Sequence, residues 1–321
     1  MNTRIARLLL GLMACLGMAP AAWSETSWPE KPVTLVVPYG AGGSTDVFAR
    51  VMATELQKRL GQPVIVANHP GAFGTIGPTY VSKQKPDGYT VGLVSDTTLI
   101  LSPMLVKATL SIDDFEYTSA IYAPRFGIAV RADSPFQSMK DAVAAAKEQG
   151  RPVFFGSPGS FNSLLMFNLN RVSGAEFQEV PYKSGADVTT ALLGGQVQLA
   201  IQNPSDILPQ AETGKMRLLA SAGEKRWPQQ PSVPTLREMG YPVSADTTTA
   251  IGLPKGTPQA VVDKLDEAVR VIRADPAFQS KLNDLGFDMG DGTRQDYVAK
   301  LRGKVDFWKE AVARAGLGQK K

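Results

Sequence analysis

Cysteine and histidine are almost missing from this chain of 321 residues, which has one of each, Cys15 and His69. No intramolecular disulfide can form, and a cysteine nucleophile is excluded if the segment carrying Cys15 is removed, as argued below. A single histidine leaves no His-rich metal site and gives a serine nucleophile only one base to work with. That histidine sits in Ala67-Asn68-His69-Pro70-Gly71, a turn after the second strand-like run, where an exposed or capping role is the ordinary one. An excess of one charge is missing too. The 34 Lys and Arg face 30 Asp and Glu without a dense basic run, which argues against a nucleic-acid partner. Beyond the N-terminal region no stretch is apolar enough to span a bilayer.

The N-terminus itself reads as an export signal. Arg4 and Arg7 form a basic n-region, Leu8 to Leu16 an apolar core, and Ala22-Trp23-Ser24 a small-x-small cleavage site, so residues 1–24 are expected to be removed after Ser24. Leu12-Met13-Ala14-Cys15 approaches a lipobox, but the apolar region before Cys15 would be very short, and the residues after it stay apolar instead of becoming a polar tether. Either cut sends the protein out of the cytoplasm, to the periplasm. Removal at Ser24 takes Arg4, Arg7 and Cys15 with it, which brings the basic and acidic totals within two of each other. Roughly 300 residues remain, enough for a large core divided between two lobes and held by packing alone.

Strand-like and helix-like runs alternate along the chain. Val64 to Ala67, Thr90 to Ser95, Val153 to Phe155, Glu179 to Pro181, Val197 to Ile201 and Arg217 to Ala220 read as strands. Thr45 to Leu60, Met139 to Glu148, Asn162 to Arg171, Asp187 to Leu193 and Ala260 to Ala274 read as helices. This alternation predicts an α/β fold of mainly parallel sheets flanked by helices. It restarts near residue 126, and Phe126 to Arg131 and Thr247 to Leu253 look like extended segments at the two ends of an inserted block. Two crossings there would make residues 25–125 plus 250–321 one lobe and 126–249 the other, with a ligand in the cleft between them.

Two segments carry the chemistry. In Val33-Thr34-Leu35-Val36-Val37-Pro38-Tyr39-Gly40-Ala41-Gly42-Gly43-Ser44-Thr45-Asp46 a β-branched strand runs into a Gly-rich loop and a helix start, with Ser44 expected to cap the helix and Asp46 to stabilise its first turn. Exposed N–H groups at such a helix start, aided by the helix dipole, suit a carboxylate or phosphate. Phe154-Phe155-Gly156-Ser157-Pro158-Gly159-Ser160-Phe161-Asn162-Ser163 repeats the arrangement in the other block. Each alone is equally an ordinary βα turn; facing one another, the two could grip one anion. A dinucleotide fingerprint is not met, because Thr45 replaces its last glycine and Asn68 stands where an acid should end the second strand. A phosphate-binding P-loop would need a lysine that the loop lacks.

Several motifs in order resemble the Bug family of extracytoplasmic solute receptors, the binding components of tripartite tricarboxylate transporters. They are Trp28-Pro29-Glu30-Lys31-Pro32, the first loop itself, Pro86-Asp87-Gly88-Tyr89-Thr90, Val180-Pro181-Tyr182-Lys183, Leu192-Leu193-Gly194-Gly195-Gln196-Val197, Pro231-Ser232-Val233-Pro234-Thr235 and Pro254-Lys255-Gly256-Thr257-Pro258. The resemblance covers essentially the whole chain after the signal. It implies a two-lobe Venus-flytrap fold, type II-like, that closes on a small organic acid and presents it to membrane subunits, with no catalytic residue, metal or cofactor and as a monomer. Carried over residue by residue, Tyr39, Ala41, Gly42, Gly43, Ser157 and Ser160 would grip one carboxylate. Ser95, Asp96 and Thr97 in one turn, and Asn203 and Asp206 in another, would meet the rest of the ligand. Lys183 and Tyr182 would be structural at the rim.

Members of the family often have Arg where His69 stands, His where Ser163 stands, and no acid at Asp96. An ionised Asp96 in the pocket would repel a second carboxylate and attract an amine or hydroxyl donor, whereas a solvent-facing Asp96 would merely cap its helix. Two other functions fit the same sequence. One is an orphan receptor signalling to a two-component sensor kinase, and the other an exported hydrolase using Ser160 or Ser44.

Overall fold

The run Val33–Val37 is almost wholly buried, as five consecutive apolar or β-branched residues demand of a central strand (β1). The helix after it, α1 (Ser44–Leu60), buries Phe48, Ala49, Met52, Ala53, Leu56 and Leu60, a spacing that lays one stripe against the sheet, and it ends on Gly61 in the left-handed conformation. The structure is a computed structural model describing residues 27–106, 108–148, 152–244 and 247–314. The expected leader with its Ser24 cut and Cys15 lies outside the described residues.

After α1 the described elements are β2 (Val64–Asn68), α2 (Ile76–Ser82) and β3 (Thr90–Ser95), then a π-helical turn (Thr97–Leu101) that runs into α3 (Ser102–Leu105). Next come β4 (Phe115–Tyr117), β5 (Tyr122–Pro124), β6 (Gly127–Arg131), α4 (Met139–Ala145), β7 (Val153–Ser157), α5 (Ser160–Ser173) and β8 (Phe177–Pro181). The chain continues through α6 (Gly185–Leu193), β9 (Leu199–Gln202), α7 (Pro204–Glu212), β10 (Met216–Ser221), β11 (Thr249–Pro254), α8 (Gln259–Ala274), α9 (Pro276–Asp284), β12 (Phe287–Met289) and α10 (Arg294–Arg314).

The strands form two sheets. One has the order β12-β5-β11-β3-β1-β2 with β4 also paired to β11; the other has the order β10-β6-β9-β7-β8. Each is mixed where the sequence predicts mainly parallel pairing. β2-β1-β3 and β8-β7-β9 are parallel, as βα units require, but β11, β5, β12, β6 and β10 add antiparallel partners. The chain crosses between the sheets from β5 to β6 and from β10 to β11, and no helix intervenes at either crossing among the described residues. Only Arg125 and Phe126 separate β5 of the first sheet from β6 of the second.

Two features of the packing position the cleft. Phe48, Tyr122 and Phe287 stack with centroids 4.2 to 5.8 Å apart, and each such pair contributes about 1 kcal/mol beyond its buried area. This cluster fixes Tyr122 beneath the start of α1. The last helix, α10, crosses to the second lobe, where Trp308 packs edge-on to Phe161 at 5.9 Å, while its Tyr297 hydroxyl donates to the Val94 carbonyl at 3.0 Å. Among the described residues no helix is long and apolar enough to cross a membrane.

Candidate functional site

The first loop is held by a carboxylate rather than by a serine cap. Gly43, not Ser44, occupies the N-cap of α1, and Ser44 turns its hydroxyl away to donate to Asn203 Oδ1 at 2.7 Å. The expected Ser44 cap is therefore corrected, because its hydroxyl finds a better-placed acceptor on the other lobe. Asp46 is buried and accepts from the Gly42 N–H at 3.0 Å, from Asn68 Nδ2 at 2.9 Å and from Arg50 Nε at 3.0 Å. Burial would raise its pKa, but these donors outweigh it and hold the carboxyl below the usual range. Gly42 itself has φ +82°, the left-handed region that favours glycine.

Three of the hydrogen bonds between the lobes flank the cleft. The Gly40 N–H donates to the Lys183 carbonyl at 3.0 Å, Ser44 pairs with Asn203, and the Ser102 and Ser160 hydroxyls bond to each other at 2.6 Å. Asn203 also donates its Nδ2 to the Arg125 carbonyl in the crossover, at 2.5 Å, so one side chain ties the first loop, the hinge and α7 together.

Between these contacts lies a cavity of about 60 Å³. That is room for about four or five water-sized groups, so with the lobes this close only a compact solute is enclosed. Its first-lobe wall consists of Tyr39, Gly43, Ser44, Thr45, Ser95, Thr97, Tyr122 and Pro124, and the lead-in to β11 adds Thr247 and Thr249. The second lobe contributes Phe126, Pro158, Phe161, Asn162, Gly185, Asn203 and Asp206. Hydroxyls dominate the polar part, and Phe126 and Phe161, stacked at 4.8 Å, form an apolar wall. Burial pushes the Tyr122 phenol up to about 12, so it remains a neutral donor beside the Thr45 and Thr249 hydroxyls. Burial likewise pushes the Asp206 carboxyl up to about 7, against the opposing hydrogen bonds from Ser44 and from the Asn203 backbone.

Of the residues expected from the sequence, Tyr39, Gly43, Ser95, Thr97, Asn203 and Asp206 line this cavity. The others do not. Ala41 and Gly42 are exposed on the outer side of the loop, and the Gly42 N–H is committed to Asp46. Ser157 is wholly buried and donates within its own turn to the Gly159 carbonyl at 2.9 Å. Ser160 is spent on Ser102. Asp96 neither faces the pocket nor caps a solvent-facing helix. It is buried, with its Oδ2 3.1 Å from Lys304 Nζ and 3.1 Å from Trp308 Nε1, while its Oδ1 accepts from the Thr247 hydroxyl and from the Thr248 N–H at 3.3 Å. Helix α10 supplies the partners that the sequence reading did not place there.

His69 is away from the cavity, its ring against Tyr80 at 4.3 Å. Lys183 holds the rim through its carbonyl, as expected of a structural residue. The sequence reading missed Thr45, Tyr122, Pro124, Phe126, Pro158, Phe161, Asn162, Gly185, Thr247 and Thr249. Phe126 and Phe161 look like core from their type. The threonines at 247–249, which lead into β11, were the one legible signal. Among the described residues no cluster of His, Cys, Asp and Glu is placed to hold a metal.

Two α/β lobes joined by closely spaced crossovers, with a small polar cavity between them, define a periplasmic binding protein. More narrowly, the chain belongs to the tripartite tricarboxylate transporter family of receptors, whose family model matches residues 48–317. It is 37% identical over 312 residues to a UPF0065 protein of Bordetella bronchiseptica, covering 95% of this chain and 92% of that one. Among solved structures it resembles the periplasmic binding protein BugD, with a TM-score of 0.86 and 32% identity over 91% of this chain and 100% of that one. It also resembles an R. palustris protein solved with adipate, with a TM-score of 0.85 and 31% identity over 91% of this chain and 99% of that one.

Proposed function

We propose that the protein captures a small organic carboxylate between its lobes in the periplasm and delivers it to the membrane subunits of a tripartite transporter. The observation that carries this reading is the cavity itself. It lies at the start of α1, whose N-terminal backbone points positive partial charge at a ligand, and it is rimmed by hydroxyl and amide donors with no Lys, Arg or His in its wall. Adipate in a structural neighbour supports the ligand class. The bonds from Gly40, Ser44 and Ser102 to the second lobe support closure by a hinge, in which a ligand touching both lobes favours the closed state. The lobes of this reading are residues 25–125 with 250–321, and residues 126–249; the membership of β6–β10 in one sheet and of β11 and β12 in the other supports that division.

The receptor acts as a monomer, without cofactor or metal, and loses its leader after Ser24. A hydrolase reading finds no support, since Ser44 and Ser160 bond to Asn203 and Ser102 and His69 is outside the cavity. The ligand is met by Gly43, Ser44, Ser95, Thr97, Tyr122, Asn203 and Asp206. Native mass spectrometry of the protein purified from a periplasmic extract tests the proposal and should find a small organic acid retained. A protein carrying no acid and showing no thermal shift with any of a broad panel of mono- and dicarboxylates would overturn it.

A further inference from the structure

The wall of the cavity contains one ionisable acid, Asp206, and no Lys, Arg or His to balance it. For a site read as a carboxylate receptor this is the wrong charge. The acid is not there by default. A helix start accepts an acid in its first turn for its dipole alone, but such an acid ordinarily stays in solvent. Asp206 instead comes from α7 of the second lobe to lie against Gly185 at the start of α6, and it takes hydrogen bonds from Ser44 at the start of α1. A side chain at Gly185 would put its Cβ 2.6 Å from an Asp206 carboxylate oxygen, so that position must remain bare for the acid to occupy this place. The Ser44 hydroxyl has one proton and gives it to Asn203 at 2.7 Å, which leaves Asp206 with the backbone N–H groups of Ser44 and Asn203, neutral donors that carry no full charge. Among the described residues no cation pairs with it.

A desolvated carboxylate without a cation either takes up a proton or meets a positive group brought from outside. From this arrangement we propose that Asp206 determines specificity by receiving a protonated nitrogen of the ligand, so that the receptor prefers a small zwitterionic acid to a simple dicarboxylate. The inference rests on the carboxylate-receptor reading above and narrows it. The ligand carboxylate meets the neutral donors of Gly43, Ser95, Thr97 and Tyr122, its nitrogen meets Asp206, and its carbon skeleton lies on Phe126 and Phe161. Burial already lifts the Asp206 carboxyl, the response of a group whose partner is missing. At pH 8, where an Asp206 carboxyl held at about 7 is mostly ionised, a dicarboxylate would bring its second charge into a wall without a cation and must first protonate Asp206, a loss of about tenfold in affinity that an ammonium ligand does not meet.

The test is isothermal titration at pH 8 of chain-length-matched pairs, such as 4-aminobutyrate against succinate and 5-aminopentanoate against glutarate, together with the α-amino acids. It is run on wild type, Asp206→Asn and Asp206→Ser. Wild type should prefer the amino member of its best pair by at least tenfold. Both variants should lose that preference, binding the amino acids more weakly and the dicarboxylates at least tenfold more tightly, with thermal melts showing that at least one of them is folded. Carboxylate binding with no preference for the amino member, or a preference that survives in the folded variant, would overturn the role of Asp206 and leave the receptor reading standing. No binding of either class to wild type, with no acid retained on purification, would overturn both.

Discussion

Replacing Asp96 with alanine separates a structural carboxylate from a ligand-binding one. In the structure this side chain joins the turn after β3, the lead-in to β11 and helix α10, through Lys304, Trp308, Thr247 and the Thr248 N–H. Asp96→Ala deprives the largely buried Lys304 of one carboxylate and leaves the indole N–H of Trp308, a residue 2% exposed, without its acceptor. Breaking a buried pair from one side costs about 3–5 kcal/mol, and the orphaned N–H accounts for about 1–3 kcal/mol of the same loss. For a chain of this size, about 2 °C of melting temperature per kcal/mol puts the expected fall at about 6–10 °C. Asp96→Asn keeps an acceptor for Trp308 and Thr247 and should lose about half as much. Circular-dichroism melts give the stability, and titration with the retained acid gives the affinity, which should stay within about threefold because Asp96 is not in the cavity wall. A variant that melts within about 2 °C of wild type but binds the acid tenfold more weakly would show that the carboxylate faces the ligand and that this reasoning is wrong.

Three further outcomes are expected. Gly42→Val forces a β-branched side chain to φ +82°, at about 1–2 kcal/mol of local strain, and displaces a loop that has room to move, since only Ala186 lies near the added Cβ at 3.6 Å; titration should show at least a tenfold loss of ligand affinity with the fold intact. Ser44→Ala removes one bond between the lobes, worth about 1 kcal/mol, and should shift the free protein toward the open form by about fivefold, read as a larger radius of gyration in small-angle scattering. Burial holds the Asp206 carboxyl at about 7 where the free residue has 3.8, so the native state keeps a proton that the unfolded chain releases between those values. The acids in the first turns of α1 and α6, Asp46 and Asp187, are engaged by Arg50 and Ser184. The Asp206 contribution is therefore complete below about pH 4 and is lost as pH rises to about 7; Asp206→Asn should remove about 2 kcal/mol of that slope, half the full linkage because the side chain keeps some solvent, as read by chemical denaturation between pH 4 and 7.5.

The fold was legible where a buried strand or an amphipathic helix writes its own period. The expected runs at Val64, Thr90, Val153 and Glu179 all fall within strands, and α1, α5 and α8 begin within two residues of their predicted starts. The antiparallel strands were harder. β4, β5 and β12 have three residues each, too short for any period; β4 and β5 pair with β11, and β12 with β5, each partner more than a hundred residues away in sequence. Helix α10 was not predicted. With five buried residues in 21 it carries a sparse stripe, and its Trp308 and Tyr297 contact elements that only the folded chain brings near.

The site was legible at the level of loops and not of side chains, and the reason is competition for hydrogen bonds. A Gly-Ser loop before a helix announces free N–H groups, but nothing local says which hydroxyl another part of the chain will claim. Ser44, Ser157 and Ser160 each found a protein partner, and only the first remains in the cavity wall. Asp96 and Asp206 show the same rule with charge. Both stand early in a helical turn, and the sequence around each offers no cation at short range. The first is met by Lys304 and Trp308 from the last helix and becomes part of the frame. The second is met by no cation and stays in the cavity wall. The residue that the sequence marked as the departure from an anion site is therefore structural. The same physical argument, that an unpaired buried carboxylate requires a donor, applies instead to Asp206 and points to the ligand to supply it.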